Sequence, residues 1–225
     1  MPDTLLFRLQ APMQAWGSQS LFSVRDTARE PTRSGVVGLL CAALGRSRDD
    51  PLDDMASLRM GVRVDQEGTV MKDFQTARNI LNSVGKPGAN VISDRYYLAD
   101  AAFLVGLESN ESELLLRLQL ALQKPKWLLF LGRRAFPPAG PVWLPDGLRH
   151  DETLEEALRS YPYLLDKQRL ERTGRLRLLV EDNSGSIIQQ DMPLSVEKRE
   201  FVQRIQRADH VDKPYHCLQE VFNVS

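Results

Sequence analysis

Hydrophobic and polar positions alternate with period two from Thr4 to Gln10, which predicts a strand with Leu5, Phe7 and Leu9 on one face. Leu6, Arg8 and Gln10 share the other face, so that face is either solvated or lines a ligand groove. Pro12 and Gly17 break the strand, and a polar loop runs from Ser18 to Glu30. Pro31 to Gly45 then reads as a helix, with Thr32 or Ser34 as its cap and Gly45 as its stop. Its interior is apolar almost all round, which predicts burial against a sheet, and Gly38 is expected to serve close packing there. Leu58 to Asp65 alternates again as a half-buried strand. Residues 72–97 are thin in apolar side chains and contain a turn cluster at Gly85-Lys86-Pro87-Gly88, so this excursion is a surface loop or a long projecting hairpin. Ala101 to Leu107 follows as a buried strand. Asn110 with Glu113 predicts a capping box for a leucine-rich helix that ends near Gln123, and Trp127 to Leu131 predicts another apolar strand.

The order β-α-β-(excursion)-β-α-β matches the split βαβ arrangement called ferredoxin-like, shared by RNA-recognition modules. The fold class is therefore α+β. Beyond Pro145 the pattern is weaker. Thr153 to Arg159 reads as a short helix, and Arg175 to Glu181 with Ser186 to Asp191 as a hairpin around Asn183-Ser184-Gly185. From Glu197 to Val211 helical and extended readings tie.

A chain of 225 residues, 42% hydrophobic and 26% charged, has the make-up of a folded protein with a real core. Its net charge of -1 provides no global basic field, so any polyanion must be met by a local patch. Between Arg117 and Arg149 the charges are Arg117, Lys124, Lys126, Arg133, Arg134 and Arg149 against Asp146 alone. A second basic cluster contains Lys167, Arg169, Arg172, Arg175 and Arg177. Such segregation permits a basic groove on a near-neutral protein. The two cysteines, Cys41 and Cys217, make no metal-type pair, and Cys41 reads as a small core residue. No leader-like or membrane-length apolar stretch occurs, which points to the cytoplasm and away from membranes.

Three segments carry candidate chemistry: Ala11-Pro12-Met13-Gln14-Ala15-Trp16-Gly17, Pro31-Thr32-Arg33-Ser34-Gly35-Val36-Val37-Gly38-Leu39-Leu40 and Leu131-Gly132-Arg133-Arg134. The second sets Arg33, Ser34 and Gly35 at a helix start, where unpaired N–H groups and a partial positive charge attract phosphate. Gly35 lets a ligand approach the main chain, and Arg33 adds a planar charged fork. Single-stranded RNA also needs flat platforms for unstacked bases. Trp16 is either such a platform or a core residue, and Tyr96 or Tyr97 is another candidate. Arg25, Arg29, Lys72, Arg78, Lys124 and Lys126 complete the candidate basic track. Catalytic patterns are missing: no Gly-x-Ser-x-Gly, phosphate-loop or His-Glu-x-x-His motif occurs, and His150, His210 and His216 all fall late in the chain. The acidic run Asp49, Asp50, Asp53 and Asp54 around Pro51 reads as a solvated linker rather than a magnesium site. No cofactor is expected.

Together the three segments resemble the CasD family, the small RNA-binding subunit of the type I-E CRISPR surveillance complex Cascade, in the RAMP superfamily. The likeness is specific through residues 5–45 and 124–138. It implies an RRM-like core over residues 1–147, a protruding hairpin thumb at 72–97 and a small β-rich C-terminal region at 148–225. It also implies a grip on the 5′ handle of the CRISPR RNA, with Gln14, Trp16, Arg33, Ser34, Gly35, Arg133 and Arg134 facing the handle. The implied partners are the backbone subunit CasC, the large subunit CasA and, indirectly, target DNA. A sibling family in type I-C systems cleaves precursor RNA without metal, using a tyrosine, lysine and histidine group. Here no histidine lies near the tyrosines and lysines of the core in sequence, so binding without cleavage is expected, with metal-independent endoribonuclease as the alternative.

Overall fold

The computed structural model describes residues 1–17, 23–81, 85, 86, 88, 90–172, 174–195, 200–214 and 216–218. Part of the expected polar loop (18–22), Pro87 of the turn cluster and residues 197–199 of the tied segment lie outside these. In chain order the elements are β1 (Asp3–Gln10), β2 (Met13–Gln14), β3 (Val24–Arg25), α1 (Arg33–Leu44), α2 (Asp53–Ala56), β4 (Arg59–Gln66), β5 (Thr69–Ala77), β6 (Val91–Ala99), β7 (Ala102–Ser109), α3 (Ser112–Gln123), β8 (Trp143–Arg149), α4 (Leu154–Ser160), α5 (Lys167–Arg172), β9 (Leu176–Glu181), β10 (Ile187–Ser195) and β11 (Glu200–Val211).

Seven strands form one sheet in the order β10-β11-β9-β4-β7-β1-β8, and all of its pairings are antiparallel. Period-two alternation divides β1 between two cores. Leu5, Phe7 and Leu9 pack with α1 and α3 on one face, and Leu6 packs with α4 and the following segment on the other. Gly61 and Gly106 sit opposite each other in the β4–β7 register. A Cβ on Gly61 would stand 2.7 Å from Leu158, and one on Gly106 would stand 2.6 Å from Leu154. These two glycines let α4 lie directly on the sheet, so neither face of its centre is open to a ligand. The turn after α4 is held by Arg63, fully buried, which pairs with Asp65 at 2.7 Å and donates to the carbonyls of Leu158, Tyr161 and Pro162.

The second sheet is built around β6, with β5 along one side and the short strands β2 and β3 along the other. Of the two readings of residues 72–97, the hairpin is the observed one. At nine residues per strand its arms run about 30 Å.

Several expectations need correction. Trp127–Leu131 is not a strand, and the edge position beside β1 belongs to β8. The physical reason lies at the end of α1. The N–H groups of Lys126 and Trp127 donate to Ala43 and Ala42 at 2.9 and 3.2 Å, so this apolar stretch closes the helix terminus instead of joining the sheet. Asn110 does not cap α3, whose first turn starts at Glu111 with no side-chain cap, while Ser109 accepts from the Glu111 N–H at 3.0 Å. β9 and β10 do not form a hairpin, because β11 inserts between them. That insertion also settles the tied segment as extended. Gly38 is exposed, with nothing within 4 Å of where a Cβ would stand.

Candidate nucleic-acid interface

The three signature segments converge, but chiefly as a packing unit. Ala15 donates to the carbonyl of Leu131 at 3.1 Å, and Gly132, at φ 88°, presses against the Ala15 carbonyl where no side chain would fit. The Trp16 indole lies beneath α1, such that a Cβ on Gly35 would stand 2.8 Å from its ring. Trp16 is 1% exposed and its indole N–H donates to Gln14 Oε1 at 3.2 Å. Gln14, itself buried, donates to the carbonyls of Ala101 and Leu9. Trp16, Gln14 and Gly35 therefore hold β2 and the 131–134 turn against the helix. Neither the base platform nor the ligand approach expected of them is present.

Arg33 is also placed differently from expectation. At 1% exposure its guanidinium donates to the carbonyls of Met55 and Leu58 and pairs with Glu181 at 3.3 Å. Burial pulls its pKa down, and the Glu181 carboxylate opposes that shift. The leading end of α1 has its anion already: Asp191 accepts from the Arg33 N–H at 2.8 Å and forms a bidentate pair with Arg204. Thr32 caps the helix by accepting from Gly35, and the Ser34 hydroxyl turns back to Thr32. This end of the helix is an internal junction with β9, β10 and β11.

The expected basic track is dispersed. Lys124 and Lys126 are exposed near the opposite end of α1, about 18 Å from Arg33 along a helix of twelve residues. Arg117 pairs with Asp54, and Arg149 pairs with Glu152 and Asp146. In the second cluster Arg169, Arg175 and Arg177 each meet a carboxylate. Arg29 and Arg78 are exposed. Lys72 pairs with Asp94 at 2.9 Å, on the hairpin face opposite Arg95, and that bond raises its pKa.

What remains is a compact cationic cluster midway along the β6 arm of the hairpin. The β3–β6 register sets Arg25 directly across from Arg95. The tight turn at Gly132 brings Arg133 over both, where its Nη2 donates to the carbonyls of Tyr96 at 2.8 Å and Arg25 at 3.3 Å. Its guanidinium also lies 5.6 Å from the centre of the Phe136 ring, which in turn meets Tyr97 at 5.9 Å and a 52° tilt. Burial pulls the Arg133 pKa down, and the positive fields of Arg95 and Arg25 lower it further, against a weaker pull from Asp73. Like charges directly opposite each other on a sheet are destabilising, so three guanidiniums gathered over one carboxylate are a standing cost unless an anion joins them. Arg134 is exposed next to this cluster, with no partner among the described residues. The arrangement suits a phosphate chain with the half-buried Tyr97 ring beside it to stack on a base, while Phe136 is buried and supports Arg133 and Tyr97 from below. Tyr97 is one of the two tyrosines expected as a platform, while Arg95 and Phe136 are unforeseen members of the cluster. Their signal is the parallel pairing of β3 with β6, which two-residue β3 does not announce.

Residues 4–207 match the family of CRISPR-associated proteins described as Cas_Cas5. The chain belongs to that family. It is 36% identical over 177 residues, 72% of this chain and 78% of the relative, to the CRISPR system Cascade subunit CasD of Escherichia coli strain K12. A solved structure described as a Cas protein superposes with a TM-score of 0.77 at 43% identity, covering 93% of this chain and 95% of that one. A chain of a CRISPR RNA-guided surveillance complex superposes with a TM-score of 0.77 at 31% identity, covering 94% and 91%. The matched span contains all three signature segments. In this member their shared work is to set the Arg133 turn against the β6 hairpin.

Proposed function

We propose that this chain is a non-catalytic CRISPR RNA-binding subunit of a type I-E Cascade, gripping the 5′ handle of the guide through Arg25, Arg95, Arg133 and Arg134. The carrying observation is the three-guanidinium cluster beside Tyr97, whose charge calls for a polyanion and whose half-buried neighbouring ring suits an unstacked base. Similarity to CasD and to a chain of an RNA-guided surveillance complex supports the assignment. Residues 1–147 are a ferredoxin-like, RRM-like core: in that reading β4, β7, β1 and β8 are strands two, three, one and four of the split βαβ unit. Because α4 covers the sheet face from which such modules usually read RNA, the contact moves to the second sheet. The β5–β6 hairpin is the thumb, its exposed Met71, Phe74 and Ile92 meeting bases or neighbouring subunits. Residues 148–225 flank the core by extending its sheet.

The subunit caps the backbone filament in the cytoplasm, touching CasC, CasA and, indirectly, target DNA. The histidine positions favour binding without cleavage. His150 bonds Asp3 at the end of β8, His210 faces Arg177 across β9 and β11, and His216 lies beside Tyr163. All three belong to the large sheet or the segment packed on it rather than to the arginine cluster, although His210 shares a cavity with Tyr163, Gln66 and Glu67 just before β5. Titration of labelled handle RNA tests the reading: Arg133→Glu is expected to weaken binding by at least tenfold with the fold intact, as expected for losing a charge-assisted contact and placing repulsion in its stead. Unchanged affinity contradicts it. Specific cuts in repeat RNA incubated with chelator would favour the endoribonuclease instead.

A further inference from the structure

On the α4 side of the sheet a groove of about 350 Å³ opens at the end of β1, lined by Arg8, Gln10, Gly140, Leu165, Asp166 and Arg169. A smaller adjoining space carries it past Pro12 and Asp100, at the foot of the hairpin. Arg8 and Gln10 are the polar pair that alternation placed on the second face of β1, and the cluster described above makes no use of them.

The charge balance of this groove singles out Arg8. Arg169 already meets Asp166 at 3.5 Å and Gln66 at 3.0 Å. Arg8 is half-buried and has no carboxylate within ion-pair distance among the described residues. Its Nε donates to the Pro141 carbonyl at 2.7 Å, which fixes the plane of the fork and leaves both terminal nitrogens without a hydrogen-bond partner among the described residues. Burial pulls its pKa down, opposed by the nearby Tyr161. Gly140 keeps the fork open, since a Cβ there would stand 2.9 Å from Arg8 Nη2. A half-buried, pre-oriented guanidinium that lacks an anion matches the bidentate geometry of a phosphate.

We propose that Arg8, with the Gln10 amide beside it, is a second RNA subsite that holds one phosphodiester of the guide strand as it passes from the arginine cluster on β6 toward the foot of the hairpin. The inference rests on the RNA-binding reading. It is favoured over a protein carboxylate by continuity: the groove reaches Pro12 and Asp100, and the backbone from Arg133 to Gly140 joins the two sites directly.

The test uses the full chain, labelled repeat-derived single-stranded RNA and a series of salt concentrations. Arg8→Gln is expected to lower the slope of log affinity against log salt by about 0.7, the value of one phosphate on a single strand, and to weaken binding by about tenfold. Arg8→Lys keeps the charge and is expected to keep the slope. Gly140→Ala, which displaces the fork, is expected to behave as Arg8→Gln, and it decides the matter if Arg8→Gln does not fold. Wild-type slope and affinity for Arg8→Gln, alongside impaired Arg133→Glu, would overturn the subsite and leave the RNA-binding reading standing. The same holds if Arg8→Gln loses only its association with other subunits. If Arg133→Glu also binds as wild type, both fall.

Discussion

Replacing Asp191 with alanine should unfold this protein far more readily than any substitution at the RNA interface. Asp191 is 4% exposed and serves three donors: the N–H of Arg33 at 2.8 Å and two nitrogens of Arg204. Its removal leaves Arg204, itself 8% exposed, and Arg33 to share Glu181 alone, with the first turn of α1 short of an acceptor. Breaking a buried pair by removing one partner costs about 3–5 kcal/mol. In a domain of this size each kcal/mol lowers the melting temperature by about 2–4 °C, so the expected drop is about 6–20 °C. Thermal melts followed by circular dichroism, with urea titration for the free energy, measure it. Combining Asp191→Leu with Arg204→Met should recover most of the loss, because both charges leave together. A loss under about 1 kcal/mol for Asp191→Ala would refute the view that this network joins α1 to the C-terminal strands. The same logic explains Arg33→Glu: a carboxylate forced against Glu181 and Asp191 should destroy RNA binding by destroying the fold.

Other consequences can be measured directly. Gly35→Ala should cost about 1–3 kcal/mol by urea titration, since the Trp16 ring lies 2.8 Å from the added methyl and is itself fully packed; a stabilised variant would contradict the contact. Tyr97→Ala should weaken handle binding by about 1–3 kcal/mol for the stacked base lost, with the salt slope unchanged; a changed slope with full stacking affinity would contradict the role. Acid should destabilise the fold. The Ser112 hydroxyl and the Asp151 N–H hold the Asp3 carboxyl below its ordinary value, and Arg46 does the same for Asp54. Both folded pKa values lie below the unfolded value of about 3.9, so this stability is complete above about pH 5 and drains away as pH falls through the folded values. Melting temperatures should be flat from about pH 5.5 upward and fall below about pH 4, less steeply in Asp3→Asn.

Alternation and capping made the core elements legible: β1, α1 with Thr32 and Gly45 at its ends, β4, β7 and α4 with its Thr153–Glu156 capping box all follow from local pattern. Trp127–Leu131 misled because an apolar run closes a helix end as readily as it pairs in a sheet, and only the carbonyls of Ala42 and Ala43 decide between them. The β9–β11–β10 order is non-local and leaves no trace in the turn residues between β9 and β10. At the site, the segments were found and their roles exchanged. Arg33 looked like a phosphate ligand because its carboxylates, Glu181 and Asp191, lie about 150 residues away in sequence. Arg133 stands out in the sequence beside Gly132, yet its companion Arg95 emerges only from a two-residue parallel pairing.

Crosslinking of the guide RNA inside the assembled complex, followed by mass spectrometry of the attached peptides, tests the central claim most directly. The account predicts RNA adducts on peptides from β6 and the 131–136 turn, at Tyr97 and its arginine neighbours, and none at Trp16 or the first turn of α1. Adducts concentrated on Trp16 and residues 33–35, with β6 unlabelled, would contradict it.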